Sequence, residues 1–141
     1  MDECVFCLIR DGQAGAAMVH QDDLVLAFMD RMPINPGHVL VVPRMHVPDL
    51  GGVPDHVGAR MWSVGRRLGA ALRAGPMRCE GVNLLLADGQ AAFQTVFHTH
   101  LHVIPRFAGD AFQLQVCRHS AEPAALQEGA LQLRGLLTRI E

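Results

Sequence analysis

Short apolar runs separated by turn-forming residues make up most of the first half of the chain. Residues 18–20, 24–28 and 38–42 are largely β-branched or otherwise apolar. The segments between them, 21–23 and 33–37, are rich in Asp, Pro, Asn and Gly. Runs of this length bounded by such residues are typical of strands joined by turns. We therefore expect three strands that follow one another as a meander.

The period of the apolar positions changes after Pro54. Apolar residues then recur every three to four positions, which is the period of one helix face. Pro54 suits a first helical turn and Gly75 suits a helix end, so we expect one long amphipathic helix between them. The apolar positions are Val57, Met61, Val64, Leu68 and Leu72.

The rest of the chain adds two strands and a second helix. Residues 82–86 and 96–104 have strand patterns and are joined by the Gly- and Ala-rich segment 87–92. Residues 124–140 carry leucines at helical spacing, although two glycines weaken this helix. Strands grouped around one main helix predict the α+β class, with an antiparallel β-meander sheet of about five strands, the main helix and a C-terminal helix.

Composition limits the function before any motif is considered. Of the 141 residues, 50% are hydrophobic and 18% are charged, which excludes intrinsic disorder. Because no internal repeat or long linker is present, we expect a single domain over residues 1–141. The net charge is -2 and the basic residues are scattered, so we expect a small-molecule partner, with no nucleic acid and no membrane.

Hydropathy and cysteine usage favour a reducing compartment. No apolar run reaches the ~18 to 20 residues that span a bilayer, and residues 1–4 are acidic where a signal peptide would be basic. We therefore expect a cytoplasmic protein. The four cysteines are too few and too unevenly spaced for a disulfide scaffold, so we interpret Cys4 and Cys7 as a metal clip or a redox pair.

The most informative feature is the alternation of His98, His100 and His102 with other residues. On a strand, alternate residues share one face. Neighbouring rings about 7 Å apart can share a metal ion, but the outer two, about 13 Å apart, do not converge easily on one ion. A remaining neutral imidazole is a good nucleophile towards phosphorus, and its neighbours can donate hydrogen bonds to phosphoryl oxygens. A purely metal-binding triad and a strand of partly buried polar rings remain alternatives.

The segment 98–104 resembles the signature of the histidine triad (HIT) family of nucleotide hydrolases and transferases. The resemblance covers nearly the whole chain, with its motifs in the family order. The other matching motifs are Cys4-x-x-Cys7, Phe28-Met29-Asp30, Pro33-x-x-Pro36-Gly37-His38 continuing to His46, and Pro105-Arg106 followed by Gly109-Asp110.

This resemblance implies a nucleotidyl hydrolase. The family cleaves at the α-phosphate of dinucleoside polyphosphates or nucleoside phosphoramidates, forms a covalent nucleotidyl-histidine, and releases a nucleoside monophosphate. By motif position, His100 is the nucleophile and His102 binds the phosphoryl oxygens. Gln94 and Thr95 match positions on the phosphate side. No cofactor takes part in the covalent step.

The resemblance also implies a structural zinc ion. In family members with an amino-terminal Cys-x-x-Cys, that pair binds zinc together with two histidines, which correspond here to Cys4, Cys7, His46 and His98. Two thiolates and two imidazoles form a closed tetrahedral set, as in structural zinc sites. The alternative is two ordinary thiols and a surface histidine.

For the nucleoside, the resemblance points to Asp30 as the acceptor for ribose hydroxyls. Phe6, Ile9 and Phe28 would form the walls around the base, although each of the three is equally well explained as core. His38 either braces the site or satisfies the turn before its strand.

The sequence departs from the family at two positions before the triad. Phe93 stands where members often have Gly, and Ala87 stands where they have Asn or Gln. Asn83 and Asp88 are nearby replacements for the missing polar contact, but Asp88 would repel a polyphosphate, and Asn83 is also explained as a strand cap. Substrate preference is therefore least transferable in this loop.

Two functions other than a hydrolase remain open, and the family resemblance also implies a homodimer. A transferase would pass the nucleotidyl group to phosphate or a sugar phosphate. A binding module would keep the pocket without turnover, which the intact His100 argues against. Polyphosphate binding would rely on the histidines, backbone amides, and Arg44 or Arg106. The homodimer implied by the family would form through residues 54–74 with Trp62, a stripe equally well explained as core.

Overall fold

A computed structural model describes residues 4–140 and contains a sheet of five strands. The strands and the main helix expected from the apolar pattern are present, and a short first helix that the pattern did not predict precedes them. The elements are α1 (Val5–Arg10), β1 (Met18–Gln21), β2 (Val25–Met29), β3 (Val39–Pro43), α2 (Asp55–Ala74), β4 (Gly81–Leu86), β5 (Leu101–Arg106) and α3 (Pro123–Leu137), with short 3-10 turns at Leu50–Gly52 and Gln90–Ala92.

The strand order in the sheet is β1-β2-β3-β5-β4, and every neighbouring pair is antiparallel. The first three strands follow the expected meander. The chain then crosses through α2 to the edge strand β4 and returns as β5 between β3 and β4. This return places β5 in the interior of the sheet, where Leu40 of β3 pairs with His102.

One face of the sheet packs against α2. Alternate residues of the central strands, such as Val41 and Val103, form a buried apolar cluster with Val57 and Met61 of the helix. The helix lies close to β5 at Gly65, where an added Cβ would come within 2.9 Å of a Leu101 methyl. The apolar stripe predicted on this helix is therefore largely occupied by the core.

The histidine strand is shorter than expected. The sequence pattern predicts a strand over 96–104, but β5 begins only at Leu101. Before it, the Thr99 amide donates a hydrogen bond to the Val47 carbonyl, 2.7 Å away, in the segment between β3 and α2. His98 and His100 therefore lie in irregular backbone, because this segment pairs with a loop and not with β3.

The C-terminal helix forms as predicted but does not enter the core. It ends at Leu137, before the expected boundary at Ile140. None of its residues is buried, and Leu133 and Leu137 are more than half exposed.

Among the helices of the described residues 4–140, none combines the length and the apolar composition that a membrane-spanning helix needs.

Candidate functional site

A cavity of about 850 Å³ opens on the side of the sheet opposite α2. Its walls come from α1, the end of β2 and the loop after it, and the segment leading into β5. Eight of the residues that the sequence assigned to the site line this cavity: Phe6, Ile9, Phe28, Asp30, His38, Thr95, His100 and His102.

The His100 ring is fixed by the backbone of the residue two positions before it. Its Nδ1 lies 2.7 Å from the His98 carbonyl oxygen. A carbonyl oxygen only accepts hydrogen bonds, so Nδ1 carries the proton in the neutral ring and donates it. The other nitrogen, Nε2, then holds a lone pair. His100 lines the cavity with its tautomer fixed by this bond, so that Nε2 is the nitrogen able to accept a proton or bond to an electrophile.

The His102 ring is fixed by a different chain of hydrogen bonds. The Ile34 amide donates to His38 Nδ1 at 3.1 Å, so His38 carries its proton on Nε2. That Nε2 lies 2.9 Å from His102 Nδ1 and donates to it. The proton of neutral His102 is therefore on Nε2, where it can serve as a hydrogen-bond donor to a ligand. His38 thus both satisfies the turn and braces His102.

Burial keeps these rings neutral near pH 7. It lowers the pKa of His100 and of His38 below the ordinary histidine value. Burial, together with the neighbouring His100 and His38, lowers the pKa of His102 to about 4. The lone pair on His100 is therefore available at neutral pH.

The cavity contains one acidic and one basic side chain beside these histidines. Asp30 accepts a hydrogen bond from the Met32 amide at 2.8 Å, and its other oxygen lies 3.5 Å from His38 Nε2. Arg31 also lines the cavity. Arg31 is the cationic side chain among the described residues of the lining, whereas the sequence analysis expects Arg44 or Arg106 to supply positive charge.

Arg106 is engaged elsewhere. Its guanidinium donates two hydrogen bonds to the Asp110 carboxylate, at 2.8 and 2.7 Å. It also donates to Asn83 Oδ1 at 2.7 Å. The sequence analysis expects Asn83 to contact substrate. Instead, Asn83 lies on the edge strand β4, where it accepts a hydrogen bond from Arg106.

Gln94 also lies outside the cavity lining. Its side chain is buried, accepts a hydrogen bond from the Gly89 amide at 2.7 Å, and donates to the carbonyls of Pro48 and Val96. It therefore fixes the loop that precedes the triad, and Thr95 is the residue of this pair that reaches the cavity.

The loop between β2 and β3 contributes two residues that the sequence reading did not single out. The Ile34 amide sets the tautomer of His38, as described above. Asn35 is buried and donates to the Pro105 carbonyl and to Asp110, each at 2.9 Å. A backbone amide leaves no mark in the sequence, but an asparagine between two prolines is a signal for a fixed polar turn.

A second group of side chains lies beside the cavity and is named here the Cys-His cluster: Cys4, Cys7, His46 and His98. One donor atom from each lies within 4.8 Å of all the others. The Nδ1 atom of His98 is 3.3 Å from Cys4 Sγ and 3.3 Å from His46 Nδ1. The structure thus brings together the four residues that the sequence assigned to zinc.

The chemistry of the Cys-His cluster fits a metal ion. His98 Nε2 donates a hydrogen bond to the Pro43 carbonyl at 2.9 Å, so its Nδ1 lone pair faces the two sulfurs and His46. Electron-rich atoms converge here with no cationic group among the donors. Two sulfurs and two imidazole nitrogens are the donor set of a closed tetrahedral zinc site.

Comparisons with known proteins agree with this geometry. Residues 11–109 match the HIT domain. An uncharacterized HIT-like protein of Mycobacterium tuberculosis is 43% identical over 107 residues, covering 76% of this chain and 74% of the relative. Adenylylsulfatase HINT3 of Arabidopsis thaliana is 37% identical over 105 residues, covering 74% of this chain and 53% of the relative.

A solved structure is similar over most of both chains. It is described as a zinc-bound histidine triad family protein from Mycobacterium smegmatis, with 40% sequence identity and a TM-score of 0.75. The alignment covers 94% of this chain and 96% of that one. The likeness therefore includes the fold as well as the sequence.

Proposed function

This chain belongs to the histidine triad family, and on that premise we propose that it is a nucleotidyl hydrolase. It would cleave at the α-phosphate of dinucleoside polyphosphates or nucleoside phosphoramidates and release a nucleoside monophosphate. The observation that carries the proposal is the tautomer of His100, whose Nδ1 proton is held by the His98 carbonyl. That bond leaves Nε2 free to attack phosphorus.

The proposed reaction has two displacements at the same phosphorus. In the first, the Nε2 lone pair of His100 forms an N–P bond while the bond to the leaving oxygen or nitrogen breaks, and a leaving nitrogen takes a proton from solvent as it departs. In the second, water attacks phosphorus and gives up a proton to solvent, the N–P bond breaks with its electron pair returning to Nε2, and the nucleoside monophosphate leaves. Throughout, His102 Nε2–H donates a hydrogen bond to a non-bridging phosphoryl oxygen as charge builds there.

The cavity residues support the nucleoside assignment. The half-buried Asp30 carboxylate would accept hydrogen bonds from the ribose hydroxyls. Phe6 and Phe28 pack edge to face with their ring centroids 5.5 Å apart, and with Ile9 they offer an apolar slot for the base. Arg31, which also lines the cavity, would offset phosphate charge. A hydrolysed adenylyl conjugate also fits the name of the Arabidopsis relative.

We also propose that the Cys-His cluster holds a structural zinc ion. The donor set and its convergence support this, as does the zinc-bound relative from Mycobacterium smegmatis. The ion would join the amino-terminal segment to the triad. A reducing compartment, which we take to be the cytoplasm, would keep Cys4 and Cys7 as thiols able to bind it.

A homodimer is proposed through the outer surface of α2. The inner stripe of this helix is core, but Trp62 on the outer side is 58% exposed. Tryptophan is among the residue types enriched at the energetic centres of protein interfaces, and Trp62 lies on the helix that the family resemblance assigns to the dimer. Sedimentation of the Trp62→Glu variant should give a monomer where the parent gives a dimer, and a parent that sediments as a monomer would exclude the dimer.

The hydrolase is tested by release of AMP from an adenosine phosphoramidate and from diadenosine tetraphosphate. The parent should turn over at least one of them, and His100→Ala should lose turnover by roughly 10⁴-fold or more while still binding AMP. Turnover that persists near the parental rate in His100→Ala would contradict the assignment. Binding of AMP without turnover of either substrate by the parent would favour a transferase or a binding module.

A further inference from the structure

His100 and His102 are neighbours in the cavity, with ring centroids 4.8 Å apart, yet separate routes anchor them. His102 depends on His38 and the Ile34 amide. His100 depends on the carbonyl of His98, and the side chain of His98 belongs to the Cys-His cluster. The Cys-His cluster is therefore linked, through His98, to the hydrogen bond that anchors His100. It contributes no residue to the hydrogen bonds that anchor His102.

Phe6 forms a second connection between the Cys-His cluster and His100. It lies between Cys4 and Cys7 in the sequence, at the start of α1. Its ring packs edge to face against His98, at 5.7 Å between centroids, and against His100, at 5.2 Å. A displacement of α1 would thus remove a contact from the His100 ring.

Helix α1 has few other means of holding its position. It is six residues long, and a helix of this length is not stable by itself. Besides the packing of Phe6 and Ile9 on the cavity face, Arg10 of this helix donates a hydrogen bond to the Arg44 carbonyl at 2.9 Å, and Cys7 contacts the cluster histidines. The location of α1 therefore depends on these few contacts and on Cys4 and Cys7, which join its first turns to the Cys-His cluster.

We propose that the Cys-His cluster, when it holds a metal ion, positions His100 through the His98 carbonyl and the Phe6 ring, and that His102 is positioned independently of the metal. This inference rests on the proposed function, because it takes His100 as the nucleophile and the cluster as a metal site. With the ligands converged, the His98 backbone stays in place to accept the Nδ1 proton of His100.

Without the ion, His98 keeps the bond from its Nε2 to the Pro43 carbonyl and the neighbouring Thr99 bond to the Val47 carbonyl, but it loses the link between its Nδ1 and the cysteines of the amino-terminal segment. What remains at the His98 Nδ1 atom is hydrogen bonding to exposed donors, such as the 3.3 Å contact with His46 Nδ1, and such bonds hold the ring less firmly than a shared metal ion does. As His98 and α1 move, the Nδ1–H tautomer of His100 loses both its acceptor and its packing. The chain from Ile34 through His38 to His102 contains no cluster residue and stays intact.

Nitrogen NMR of the histidine side chains tests this on the full chain with zinc bound and after chelation. We expect His100 to change from a single Nδ1–H tautomer to a mixture, while His102 stays as the Nε2–H tautomer. Exposed His56 serves as an internal reference. A His100 tautomer that is unchanged on chelation would overturn the proposal. So would equal changes in His100 and His102, because these would indicate general loosening.

A variant gives a second test that does not depend on chelation. His46 is exposed, so His46→Ala removes a cluster ligand with little cost to the core. We expect a fall of about tenfold or more in kcat with the same NMR change at His100, whereas His56→Ala should retain zinc and turnover. A His46→Ala variant that loses zinc but keeps the parental kcat and the His100 tautomer would overturn the proposal.

The NMR readout separates this inference from the proposed function. If the zinc-bound parent fails to hydrolyse either adenosine substrate, the proposed function fails, whatever the histidine spectra show. If it hydrolyses a substrate but His100 is insensitive to zinc, the proposed function stands and the inference about positioning fails.

Discussion

On one face of the sheet, Val41 and Val103 pack against Val57 and Met61 of α2. On the other face, one residue along each strand, Leu40 and its partner His102 lie towards α1 and the cavity. The first face is an apolar core, and the second combines apolar residues with buried imidazoles. Because alternate residues of a strand point to opposite faces, the same strands carry both.

The comparison teaches where polar groups are tolerated. The α2 face is stabilised because its apolar side chains are buried away from water. The cavity face keeps His38, His100 and His102 buried, and each ring has a fixed hydrogen-bond partner that offsets part of its desolvation. Substitutions on the first face should therefore act on stability alone, whereas substitutions of residues that line the cavity should act on function as well.

The largest stability effect is expected from Met61→Ala. Met61 is buried in the α2 face, and removing such a side chain costs about 2–5 kcal/mol in the free energy of unfolding. Denaturant unfolding measures this cost. At a temperature where the variant is folded, its AMP release should stay near the parental rate, and a selective loss of turnover in the folded variant would contradict the separation of the faces.

The next effect is expected from replacing Cys4 and Cys7 together by serine. The double variant should lose bound zinc and melt at a lower temperature, because a metal that binds the folded state stabilises it. Metal analysis and thermal unfolding measure both quantities. A matched Cys117→Ser variant, whose cysteine is exposed and outside the cluster, should change neither. Unchanged zinc content in the double variant would exclude the site.

A smaller effect is expected from Asn83→Ala. The variant removes an acceptor from Arg106, which should cost about 1 kcal/mol in unfolding free energy. Its KM for the adenosine substrates should be unchanged, since Asn83 does not line the cavity. A rise in KM without a loss of stability would instead support the substrate contact expected from the sequence.

The smallest expected effect is on the pH dependence of kcat/KM. Burial lowers the pKa of His100 below the ordinary value near 6.5. The neutral nucleophile should therefore persist as the pH falls to 6.5, and activity should decline only below it as His100 becomes protonated. A steady-state pH series measures the position of the acid limb, and a limb above pH 6.5 would contradict the assignment of a buried neutral ring.

Local sequence patterns predicted much of the fold. The α+β class and the positions of β2, β3 and α2 followed from apolar spacing, because each element buries one periodic face. The six residues of α1 are too few to show a helical period. The start of β5 was placed too early, because nothing local indicates that Thr99 bonds to the Val47 carbonyl.

The sequence also predicted the candidate site only in part. Motif positions brought together the Cys-His cluster and eight residues of the cavity. The placements of Asn83 and Gln94 did not follow from the motifs, since their partners are Arg106 and the backbone around Pro48, which are distant in the sequence. The Ile34 amide that sets the His38 tautomer is a backbone group and has no sequence signature.

The stereochemistry at the α-phosphorus is the most direct test of covalent catalysis by His100. The measurement uses an adenosine substrate with a chiral α-phosphorothioate, hydrolysed in ¹⁸O-labelled water. Each displacement at phosphorus inverts its configuration, so attack by His100 followed by attack of water predicts net retention. Net inversion would show that water attacks the substrate directly, and would contradict the nucleotidyl-histidine intermediate.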